Sequence, residues 1–106
     1  MAVNPQVLYP RSVNQFFEDL GRRWADVASK RGSAIERPEL DSSIALELLE
    51  LARVAAHTQE RRFAPLASFM AGVAAERLRV ASGASAADLA DYIREVRQEL
   101  EREPPV

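Results

Sequence analysis

The stretch ARVAAHTQERRFAPL, residues 52–66, gathers the only histidine of the chain, His57, with the adjacent pair Arg61 and Arg62 and with Pro65. These residue types suit two kinds of chemistry. His57 is the one side chain whose ordinary pKa allows proton transfer at neutral pH. Arg61 and Arg62 stand just before a predicted helix start, where free N–H groups and the positive end of the helix dipole favour a phosphate, another oxyanion or a carboxylate. The set His57, Arg61 and Arg62 is therefore a candidate anion site, open to a small anion or a nucleotide. The structural alternative is that His57, Ala64, Pro65 and Leu66 form only the corner of a helical hairpin. A histidine in the last turn of a helix is favoured by the dipole in any case.

Other chemistry finds fewer residues to work with. The absence of cysteine removes disulfides, thiolate zinc sites and thiol nucleophiles together. A diiron site in a helical bundle needs a glutamate and a histidine three apart on each of two helices, and one histidine cannot supply them. Glu47, Glu50, Arg53 and His57 share a polar stripe, but Glu50 and His57 are two turns, roughly 10 Å, apart, too far to share one ion. That stripe reads as the solvated side of its helix. Ser42, Ser43, Ser82 and Ser85 fall at helix ends, and Gly21, Gly32, Gly72 and Gly83 are too scattered for a phosphate loop. The expectation is a protein that is not an enzyme and holds no metal or other cofactor.

The elements that must position this corner follow from composition and spacing. The chain has 106 residues, enough for one compact domain, with 47% hydrophobic and 28% charged residues, the balance of a folded globular protein. Net charge is −2, with both signs interleaved, so no broad positive field draws in nucleic acid. No segment has the pattern of a signal peptide or a membrane span, so no membrane partner and a cytoplasmic location are expected. Residues 1–11, with Pro5 and Pro10, read as an extended N-terminal arm. Residues 12–102 read as a single helical domain and 103–106 as a tail.

Four predicted helices make this an all-α protein, a compact four-helix bundle with an extended N-terminal arm. The first runs from Ser12, in a capping box with Gln15, to Lys30, with an aromatic stripe containing Phe16, Phe17, Leu20 and Trp24. Gly21 within it marks a close-packing point. The second opens at Asp41 or Ser42, ends near His57 or Thr58, and is apolar most of the way round, so it is central. The third opens at Pro65 and ends at Gly83. Its bulk comes from Leu66, Phe69, Met70, Val73 and Leu78, with Phe69 in the core, while alanines keep one flank small against the second helix. The fourth opens at Ser85 with Asp88 as its capping-box partner, runs to Pro104, and carries the narrow stripe Leu89, Ile93, Val96 and Leu100. That stripe either closes the bundle or pairs with a copy of itself.

The run LLELARVAAHTQERRFAPLASFMAGVAAER, residues 48–77, resembles a small helical domain family of unknown function, of actinobacterial type. The matching positions are Leu51, Ala52 and Arg53, then Ala56 and His57, Arg61, the trio Ala64, Pro65 and Leu66, and then Phe69, Gly72 and Ala74. Arg62 and Glu76 depart from the family pattern. Such domains stand alone or follow nucleotidyltransferases that resemble those of molybdenum-cofactor synthesis. The resemblance implies an accessory role in the maturation of molybdenum or related redox enzymes. The combined expectation is a non-enzymatic interaction module, an accessory subunit or assembly factor with a protein partner or a homodimer. Its partner-binding residues are Phe17, Trp24, Leu89, Ile93, Val96 and Leu100. The alternative is a small anion- or nucleotide-binding module using the corner.

Overall fold

A computed structural model describes residues 10–104, and among them every regular element is an α-helix. In chain order these are α1 (Pro10–Lys30), α2 (Ser42–Thr58), α3 (Phe63–Ser82) and α4 (Ala86–Glu101). The helical-bundle class agrees with the periodicity of the sequence. The expected N-terminal arm lies outside the described residues as far as residue 9. Its last two positions, Pro10 and Arg11, are already helical. Pro10 takes the first position of α1, where its fixed φ suits the helix and its missing N–H has no partner to lose. The capping box expected at Ser12 and Gln15 is displaced by this earlier start. The Gln15 amide instead donates to the Asp19 carboxylate (3.0 Å), one turn on.

The chain divides into two compact units, Met1–Leu40 and Asp41–Val106, at the end of the loop that holds Gly32 and Pro38. Residues 12–102, expected as one helical domain, span both units. In the first unit, that loop returns to α1. Gly21 is buried, and a Cβ built on it would fall 2.5 Å from the Pro38 carbonyl oxygen and 3.0 Å from the Arg37 side chain. Only glycine leaves room for this approach, which identifies the contact that the sequence reading expected there.

The second unit is a three-helix bundle with α2 at its centre, packed against both α3 and α4. Its buried residues are Leu51, Val54 and Ala55 from α2, Ala75 from α3, and Leu89, Ala90 and Ile93 from α4. The ends of these helices follow local chemistry. The Asp41 carboxylate accepts the N–H groups of Ser43 (3.0 Å) and Ile44 (3.1 Å), opening α2. Gly83, at φ 71°, closes α3 in the left-handed conformation, its N–H donating to the Arg79 carbonyl (2.8 Å). Ser85 and Asp88 form the expected capping box of α4 in both directions. The fourth helix ends at Glu101, short of Pro104, with Arg102 as its C-cap.

The orientation of α3 overturns one expectation. Its alanine flank, including Ala67, Ala71, Ala74 and Ala75, faces the bundle, whereas Phe69 is 73% exposed and Leu66 and Met70 are exposed with it. Phe69 is therefore not a core residue. Alanine on α3 allows the backbone to approach the apolar surface of α2 closely, and at that spacing there is no room for a phenyl ring between the helices.

Candidate functional site

The corner between α2 and α3 is built from hydrogen bonds to backbone carbonyls. At the end of α2 the Thr58 hydroxyl donates to the Val54 carbonyl (2.7 Å), and the Gln59 N–H donates to the Ala55 carbonyl (3.1 Å). The next turn then closes on itself, with Phe63 N–H donating to the Glu60 carbonyl (3.0 Å) and Ala64 N–H to the Arg61 carbonyl (3.2 Å). Pro65, expected at the first helical position, stands third in α3. It is tolerated there because the whole first turn lacks intrahelical acceptors. Of the first three N–H positions of α3, two already have carbonyl partners and the third is a proline. The helix start thus keeps few donors for an anion.

His57, Arg61 and Arg62 all reach solvent at this corner. His57 lies in the last turn of α2, beside the negative end of its dipole. Arg62 pairs with Glu60 at 3.3 Å, both side chains exposed. Arg53, one turn before His57, donates to Glu50 (2.8 Å) and holds that carboxyl below its usual range, chiefly through this hydrogen bond. Of the corner residues, Ala64 is half-buried while Pro65 and Leu66 are exposed. Among the described residues there is no buried polar or charged side chain, and no group of three histidine, aspartate or glutamate residues that could hold a metal ion.

The six expected partner-binding residues separate into two groups. Leu89 and Ile93 belong to the core against α2 and are unavailable to another molecule, and Leu100 is half-buried. The stripe of α4 closes the bundle. Val96 remains exposed at its edge, and on α1 Phe17 and Trp24 are exposed together with Phe16. Phe16 and Phe17 meet edge to face, with ring centroids 5.1 Å apart.

Two features were missed in the sequence. Glu47, read as part of the solvated stripe of α2, turns toward α4 and is only 13% exposed. Its carboxylate accepts from Arg94 Nε (3.0 Å) and from Arg97 Nε and Nη2 (3.3 Å each). No local pattern marks a pair separated by about fifty residues. The outward bulk of α3 did leave a signal: alanines at 64, 67, 71 and 75 repeat at three and four and form a complete packing face by themselves.

A small all-α module without a buried polar centre among its described residues is what this geometry defines. The chain belongs to the family described as Domain of unknown function (DUF6457), whose sequence model matches residues 15–105. No curated protein and no solved structure gives a significant match. Among the described residues, no helix is long and apolar enough to cross a membrane.

Proposed function

We propose that this protein is a non-enzymatic helical interaction module, an accessory subunit or assembly factor that docks on a larger enzyme through the aromatic face of α1. The observation that supports this reading is the exposure of Phe16, Phe17, Trp24 and Val27 on one amphipathic helix, with Trp24 59% exposed. Aromatic side chains are enriched as anchors at protein interfaces because each offers a large, rigid contact area. The similarity of residues 48–77 to domains found beside nucleotidyltransferases of molybdenum-cofactor type suggests a redox enzyme, and a molybdenum enzyme first, as the partner.

The test is affinity purification from the native host followed by reconstitution with the purified partner. The partner should be retained by the natural chain and lost with Phe16→Ala combined with Trp24→Ala. Trp24 is the only tryptophan, so its fluorescence should shift to the blue as the partner covers it. Recovery of the chain alone, or a partner held equally well by the double variant, would overturn the reading.

A further inference from the structure

The outward face of α3 has no counterpart within the bundle that explains its composition. Leu66, Phe69, Met70 and Val80 are 62%, 73%, 71% and 71% exposed, and with Val73 they recur at helical spacing along one side. The opposite side carries the alanines that face α2. A helix that is apolar on both sides is normally covered on both. Neighbouring α2 adds Leu46 and Leu49, both about two-thirds exposed.

We infer that this face is a self-association surface, on which α3 of a second copy lies antiparallel, with the two-fold axis passing beside Phe69. Length and charge favour it. The stripe from Phe63 to Val80 runs about 25 Å along the helix. Its four well-exposed side chains, Leu66, Phe69, Met70 and Val80, each offer on the order of 100 Å² of apolar surface. That total is about half of the ~800 Å² per partner of a standard protein interface, the scale of a weaker, reversible dimer.

Charge selects the direction. Arg62 lies seven residues before Phe69 and Glu76 seven after, so antiparallel pairing about Phe69 sets Arg62 of each copy opposite Glu76 of the other. Because such an interface is isologous, the contact occurs twice. The same register also sets Arg61 opposite Arg77, whereas parallel pairing would oppose like charges throughout, Arg62 to Arg62, Glu76 to Glu76 and Arg77 to Arg77. The present partners of these groups, Glu60 for Arg62 (3.3 Å) and Arg79 for Glu76 (2.7 Å), are exposed pairs that are cheaply exchanged. The inference does not involve α1 and stands independently of the docking proposed above.

Sedimentation equilibrium of the full chain is the test, with far-UV circular dichroism to verify that each variant keeps its helices. The expected mass at tens of micromolar is twice the 11.8 kDa of one chain. Phe69→Glu, at an exposed position that leaves the bundle core untouched, should weaken the dimer by at least tenfold. Arg62→Glu and Glu76→Arg should each weaken it several-fold, and the two together should restore it. A single-chain mass up to several hundred micromolar overturns the inference and leaves the face to a different protein. So does a dimer indifferent to Phe69→Glu, and a dimer that the double exchange fails to restore overturns the antiparallel register.

Discussion

Phe69 and Leu51 are both large apolar residues within helices, and their environments differ completely. Leu51 is 4% exposed at the centre of α2, so Leu51→Ala removes packed methyl groups and should cost about 2–5 kcal/mol in urea denaturation. Phe69→Ala, measured at concentrations low enough to keep single chains, should cost less than about 1 kcal/mol, since nothing in the bundle closes over the ring. Glu47 is the polar counterpart of Leu51. It joins α2 to α4 through two arginines, and Arg97 is itself only 16% exposed. Glu47→Ala leaves Arg97 its contact with Glu101 but removes the interhelical bonds, a loss of about 1–3 kcal/mol by the same measurement.

Among the elements, the helix ends share the pH dependence with Asp19, Glu50 and Glu76, which hydrogen bonds from Gln15, Arg53 and Arg79 also hold below their ordinary values. Asp41 is held below the ordinary aspartate value chiefly by hydrogen bonds from the Ser43 side chain and the Ile44 backbone, and Asp88 chiefly by the Ser85 backbone N–H. Each carboxylate therefore binds its proton more readily in the unfolded chain than in the folded one. Their contribution to stability is complete above the ordinary aspartate pKa of ~3.9 and is lost as pH falls through the lower folded values. Melting temperature should change little from pH 7 to pH 5 and then decline as pH falls through the ordinary glutamate and aspartate values of ~4.3 and ~3.9, with a smaller decline in Asp88→Asn. Within the first unit, Gly21→Ala tests the return of the loop onto α1. The substitution adds up to about 1 kcal/mol of helix propensity. The new methyl group would stand 2.5 Å from the Pro38 carbonyl, so the loop must move. Hydrogen exchange should show lost protection over residues 33–40 with no net gain in stability.

For the whole molecule, size limits what the core can supply. The second unit has seven buried apolar residues among those described, three of them alanine. A single core of this size rarely supplies more than ~3–5 kcal/mol. Coverage of the α3 face by a second copy would add to this through mass action, because association stabilises only the folded chain. The melting temperature of the natural protein should accordingly rise with concentration over a hundredfold range. That of Phe69→Glu should not.

The division between sequence and structure follows the range of the interactions. Helix existence, the caps at Asp41, Gly83 and Ser85 and the central place of α2 are legible in the sequence, because each depends on residues within a turn or two of one another. The stripe of α4 is legible as a stripe, but its inward direction is not, since Leu89 and Ile93 stand among the residues expected to bind a partner. The corner at His57 was also legible as a corner. Its hydrogen-bond closure, the shift of Pro65 to the third position of α3, and the turning of Glu47 toward Arg94 and Arg97 depend on where distant backbones lie. The direction of α3 is the clearest case. Both of its sides are apolar, so the hydrophobic pattern permits either to face inward, and the close approach to α2 admits only the side made of alanine.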